Sequence, residues 1–180
     1  MRYNVAQLLK EQSGHTRQYT LHEDISQLDP EIVPLSALDG NIQLIRTADG
    51  VFALGDLHTS LELTCARCLT QFSLPLQFSL EEEFRPTIDI HTGATLPLPA
   101  DDEAATRIDA HHEIDLSEVV RQNILLTVPP NPICRSKCAG LCPTCGKNWN
   151  DGPCDCKPEE IDPRLEVLKQ LLDEEKESDK

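Results

Sequence analysis

Eight cysteines in four close pairs constrain this chain more than any other feature of it. They fall as Cys65-Ala66-Arg67-Cys68, Cys134-Arg135-Ser136-Lys137-Cys138, Cys142-Pro143-Thr144-Cys145-Gly146 and Cys154-Asp155-Cys156. Two thiolates hold one tetrahedral ion only if the chain turns tightly between them, with each sulfur about 2.3 Å from the metal. Pro143 fixes φ for such a turn, and Gly146 permits the left-handed conformation that leaves its N–H free for a sulfur. All-sulfur tetrahedral sets select zinc or iron–sulfur clusters, and zinc is the expected ion.

Two partitions of the cysteines stay open. In one, Cys142 and Cys145 join Cys154 and Cys156 as a local ribbon, while Cys65 and Cys68 join Cys134 and Cys138 across the fold, for two zinc ions per chain. In the other a single zinc is bound and the remaining cysteines are free or substitute. Spacing favours the first, which uses every cysteine, although a C-x-C pair is tight and leaves Cys154 or Cys156 the least secure ligand.

The segment from Met1 to Lys10 lacks a secretory apolar run, and no stretch approaches the ~20 apolar residues needed to span a bilayer. A soluble cytoplasmic protein is expected. In that reducing compartment, clustered cysteines read as metal ligands before disulfides. The formal charge is −15, with 16 Lys+Arg against 31 Asp+Glu. An acidic surface repels phosphate, so RNA contact would need a local basic patch; a basic protein partner is equally compatible. Arg67, Arg135, Lys137, Lys147 and Trp149 are the candidates for a phosphate-and-stacking patch. The competing account makes these solubilising charges, with Trp149 packing the knuckle.

The expected fold is α+β. Residues 1–130 predict a β-rich antiparallel sheet or partly open barrel. Asn41–Arg46 and Val51–Leu54 flank Thr47-Ala48-Asp49-Gly50, whose Asp-Gly is a hairpin signal. Leu57–Leu63 and Phe72–Leu80 alternate as half-buried strands, with Pro75 arguing for an edge and Cys65/Cys68 in the turn between them. An acidic loop is expected over about 81–113, since 81–118 carries eleven Asp/Glu against Arg85 and Arg107. A helix over about 116–127 follows, with Asp115 as cap, Glu118 completing a capping box, and Leu116, Val119, Val120 and Ile124 on one face. A cysteine-rich zinc knuckle occupies 131–158. The last segment, 159–180, predicts a helix capped by Asp162 and Pro163 with a Leu165, Leu168, Leu171, Leu172 stripe and a charged tail.

No catalytic constellation emerges. His111-His112-Glu113 with the later Cys142/Cys145 pair resembles a zinc-deaminase layout only poorly, because proline lies inside the pair rather than before it. No phosphate loop, nucleophile elbow or small-molecule site is evident. A noncatalytic binding protein is expected.

These residues together are similar to the YceD family. The likeness rests on Cys65-x2-Cys68-Leu69 after a strand, Asp115-Leu116 opening a helix, Pro129-x2-Pro132, Cys134-x3-Cys138-x-Gly140-Leu141-Cys142-Pro143-x-Cys145-Gly146, Cys154-x-Cys156 and Asp162-Pro163-Arg164-Leu165. The resemblance implies a cytoplasmic (or plastid) factor needed for accumulation of the large-subunit, 23S, ribosomal RNA. Its partner would be a ribosomal RNA precursor or a basic large-subunit ribosomal protein. Two alternatives are kept: a protein-interaction module that recruits an assembly factor without touching RNA, and a zinc–thiolate redox sensor.

Overall fold

The computed structural model describes residues 1–97 and 103–156; the helix expected over 159–180 lies outside the described residues. The chain divides into two units, Met1–Cys138 and Ala139–Lys180.

Alternation of apolar and polar residues builds the first unit. Strands β1 (Arg2–Asn4), β2 (Thr16–Glu23), β3 (Leu38–Arg46), β4 (Val51–Thr64), β5 (Gln71–Pro86), β6 (Arg107–Ile108) and β7 (Glu113–Asp115) are joined by helices α1 (Ala6–Lys10) and α2 (Ser117–Thr127). Five strands form one sheet in the order β2-β3-β4-β5-β6, and β1 pairs with β7 as a separate ribbon. The first four strands of the sheet run antiparallel, and only the short β6 is parallel to its neighbour. The α+β class is therefore the one expected, with a mixed sheet in which four of the five strands are antiparallel. Along β4, Val51, Ala53, Leu57, Thr59 and Leu61 point into the core; on β5, Leu76, Phe78, Leu80 and Phe84 do so. Side chains two apart share a face of a strand, so both strands present one apolar row.

The β3–β4 hairpin pairs Arg46 with Val51. The hairpin signalled by Asp-Gly is present, and its glycine answers to packing, since Gly50 is not among the positive-φ glycines. A Cβ at Gly50 would stand 2.0 Å from the Phe84 carbonyl oxygen, so the close pass of β5 demands glycine there. Pro75 does mark an edge. It faces Ser60 on β4, whose N–H donates to Ser36 Oγ and whose carbonyl accepts from Leu35 N–H. Both backbone groups of Ser60 thus point away from β5, no ladder bond is lost to proline, and β6 joins β5 only at Arg85 and Pro86.

Composition misplaced the start of the acidic loop. Glu81, Glu82 and Glu83 lie within β5, opposite Leu54, Ala53 and Phe52, because buried Leu80 and Phe84 on either side keep that strand in register. Further on, β6 and β7 interrupt the same region.

α2 begins one residue later than expected, at Ser117, and Asp115 Oδ1 accepts the Ser117 N–H at 2.9 Å. The capping box does not form. Glu118 is held instead by Arg121 at 2.7 and 2.9 Å and by Gln122 at 3.0 Å. Leu116, Val119, Val120 and Ile124 are all buried, as the apolar face requires, and α2 packs against β5. Among the described residues, no helix is long and apolar enough to cross a membrane.

Candidate metal centres

β4 ends at Thr64, and the chain reverses through Cys65–Thr70 into β5. In this turn Cys65 N–H donates to Thr70 O at 3.0 Å and Leu69 N–H to Cys65 O at 2.9 Å, with Leu69 at φ 57°. The second unit repeats the pattern. Cys142 N–H donates to Lys147 O at 2.8 Å and Gly146 N–H to Cys142 O at 2.9 Å, with Gly146 at φ 72°. The same knuckle therefore occurs twice, with Leu69 standing where the other has glycine. A left-handed L-residue costs about 1–2 kcal/mol. Pro143 and Gly146 advertise the second knuckle in the sequence, whereas Leu69 conceals the first.

After α2 the chain returns to the first turn. Ala66 N–H donates to Pro132 O at 2.8 Å, and Cys134 N–H donates to Cys65 Sγ at 3.4 Å. This places Cys65 Sγ 3.8 Å from Cys138 Sγ and Cys68 Sγ 3.7 Å from Cys134 Sγ, with all four sulfurs within 4.8 Å of one another. A tetrahedron with arms of about 2.3 Å has edges of about 3.8 Å, so the set fits a single ion. A disulfide would need about 2.05 Å. Cys65, Cys68 and Cys138 are buried and Cys134 is half-buried.

In the second unit Cys142, Cys145, Cys154 and Cys156 also gather within 4.8 Å. This set is more open, with Cys142 buried, Cys145 exposed and the other two half-buried. A one-turn 3₁₀ helix, Trp149–Asp151, spans the gap between its pairs and brings the indole N–H of Trp149 to 3.4 Å from Cys154 Sγ. Asn150 Oδ1 accepts Ala139 N–H at 3.0 Å, and Lys147 Nζ donates to Pro153 O at 2.7 Å. The eight sulfurs thus assemble as the first of the two partitions, and either set could hold a metal ion.

Protonation within each set is uneven. Burial opposes ionisation of Cys65, but N–H groups of Cys134, Cys68 and Arg67 converge on its sulfur and bring the thiol down to about 6. Cys134 is pushed up to about 12 by burial and by the neighbouring sulfurs of Cys68, Cys65 and Cys138. In the second set the Trp149 indole, then the Cys156 N–H, lowers Cys154 to about 6. Cys156 rises to about 12 through its bond with Cys145 and through burial. Each cluster stabilises its first thiolate through N–H donors and resists its last. A cation among the four sulfurs relieves that resistance, because a coordinating thiol is deprotonated outright.

The five basic and aromatic candidates separate between the units. Arg67, Arg135 and Lys137 are exposed around the first set, where the Arg67 guanidinium donates to Cys138 O at 3.2 Å. Lys147 and Trp149 belong to the second, where both brace its loop. Sequence reasoning missed the bond from Trp149 to a cysteine sulfur, for which only the short Trp149-to-Cys154 spacing is a signal.

A family model described as large ribosomal RNA subunit accumulation protein YceD matches residues 54–172. An uncharacterised protein of Mycobacterium tuberculosis is 28% identical over 160 residues, covering 86% of this chain and 74% of the relative. The YlbN protein of Bacillus subtilis is 32% identical over 117 residues, covering 64% of this chain and 63% of the relative. A Zea mays protein named large ribosomal RNA subunit accumulation protein YCED homolog 1, chloroplastic, is 32% identical over 131 residues, 59% of this chain and 44% of that protein. No solved structure matches.

Proposed function

This chain belongs to the YceD family, and from that membership we propose that it is a noncatalytic, zinc-stabilised cytoplasmic factor that supports accumulation of the large-subunit (23S) ribosomal RNA. The observation that carries the zinc assignment is the pair of four-thiol sets with tetrahedral edges of 3.7 and 3.8 Å in the first. Four protein thiolates leave no open coordination position, and zinc so held supplies folding free energy rather than chemistry. Cys65, Cys68, Cys134 and Cys138 hold one ion in this reading, and Cys142, Cys145, Cys154 and Cys156 the other.

The test has two arms. Elemental analysis of purified protein returns two zinc per chain; one zinc, or iron, overturns the metal assignment. In cells depleted of the endogenous protein, expression of this chain restores the level of large-subunit ribosomal RNA, and failure to do so overturns the functional reading. A second reading, a zinc–thiolate redox sensor, is favoured only by the exposure of Cys145. It requires rapid, reversible zinc release from the second set under mild peroxide.

A further inference from the structure

Although 31 of 180 residues are acidic, the stretches 63–80 and 119–138 contain no Asp or Glu. At the chain's average density about six or seven acids would fall there. The first stretch is the end of β4, the Cys65–Thr70 turn and the start of β5. The second is α2 beyond Glu118 and the segment that follows it. Far apart in sequence, they are seamed together by the bonds Ala66 N–H to Pro132 O, Cys134 N–H to Cys65 Sγ, and Arg67 to Cys138 O. The two acid-free stretches therefore meet at one end of the sheet.

Three exposed cations stand at that end, and each is the immediate sequence neighbour of a cysteine in the first set: Arg67 of Cys68, Arg135 of Cys134 and Lys137 of Cys138. Their backbones are fixed by the knuckle rather than carried on free loops. Next to the same cysteines in sequence, Leu69 is 64% exposed and Ile133 39%. The sulfurs lie beneath this surface, with Cys65, Cys68 and Cys138 at 5% exposure or less. Cys134 is half-buried, and the guanidinium and ammonium groups are the most exposed charges at this end.

We propose that this end of the sheet is an RNA-docking surface, on which Arg67, Arg135 and Lys137 contact backbone phosphates and Leu69 and Ile133 lie against sugars or bases. The proposal rests on the ribosomal-RNA reading above. The chain's formal charge of −15 disfavours a polyanion, and this acid-free cationic end offers RNA the least repulsion within the first unit. Arginine's planar fork suits phosphate oxygens, and contacts of this kind position a backbone without reading sequence. Three neutralised phosphates give a slope of log affinity against log salt of about −2 to −3.

The test is fluorescence anisotropy of the full, zinc-loaded chain with a labelled transcript of large-subunit ribosomal RNA, titrated with KCl. Arg135→Gln/Lys137→Gln changes exposed side chains only, and its zinc content and circular dichroism are checked against the parent. Lys10→Gln, on α1, is the control. The expected result is affinity about tenfold or more weaker for the double variant, a salt slope shallower by about 1.5, and no change for Lys10→Gln. Equal binding by the double variant, or equal loss in the control, overturns the proposal. Absence of RNA binding by the parent chain also overturns it, while restored ribosomal RNA accumulation in depleted cells would leave the functional reading standing. If the double variant binds RNA normally but fails to restore accumulation, the surface serves a protein and RNA docking is overturned.

Discussion

Replacing Cys134 with Ser separates the two centres most sharply. The first set ties residues 66 apart through Cys68 and Cys134, whereas the second closes a loop of nine between Cys145 and Cys154. Treated as cross-links on the unfolded chain, loops of these lengths are worth about 4 kcal/mol and about 2.5 kcal/mol respectively. With a urea dependence of about 2 kcal/mol per molar, losing the longer staple lowers the midpoint of the sheet by about 2 M. The single tryptophan, Trp149, sits in the second unit beside Cys154 and provides an independent probe there. Far-ultraviolet circular dichroism follows the strands of the first unit. Cys134→Ser is expected to move the dichroism transition and leave the Trp149 transition in place, with Cys145→Ser doing the reverse. The reasoning fails if both signals shift together in either variant, or if Cys134→Ser moves the dichroism midpoint by less than about 0.5 M.

Trp149→Phe removes the indole N–H from Cys154 while keeping an aromatic ring. Zinc affinity of the second set should fall about tenfold in competition with a chromophoric chelator, and an unchanged affinity would show that the bond does not tune the metal. Asp115 is held down at about 2, against its partial burial, by Ser117 and Arg2. A carboxyl depressed below its unfolded value of about 3.9 contributes stability above that pH and loses it as pH falls toward the folded value. Asp115→Asn should therefore flatten the acid limb of stability between about pH 4 and about pH 2, measured by urea midpoints across that range. A limb of the same steepness in the variant would refute this.

What the sequence revealed tracks how local each signal was. The alternation in β4 and β5, the apolar face of α2 and the Cys142 knuckle each depend on residues within a few positions of one another. β2 escaped specific assignment because its Thr-Arg-Gln-Tyr-Thr-Leu-His-Glu stretch buries only Leu21 fully, as an edge strand can. The five-residue α1 is too short for helical periodicity to register. The β1–β7 ribbon pairs Arg2 with Asp115, a contact that no local window contains. At the site, pair spacing favoured the right grouping of cysteines. It could not show that Leu69 adopts a glycine's conformation, nor that Trp149 donates to Cys154, because both follow from the folded turn.

The span of the first staple also sets an order of events during synthesis. Chains elongate at about 5–20 residues per second, so Cys134 follows Cys68 by about 3–13 s, whereas all four cysteines of the second set appear within about 1–3 s. During the longer interval the Cys65/Cys68 turn exists as a half-built site with two sulfurs uncommitted. The nascent chain is then open to oxidation or to capture of an ion by two ligands alone. The second set offers almost no such window. A shortage of metal, or a burst of oxidant, would thus be recorded first in the newest copies of the protein, at the clasp that stays half-built longest.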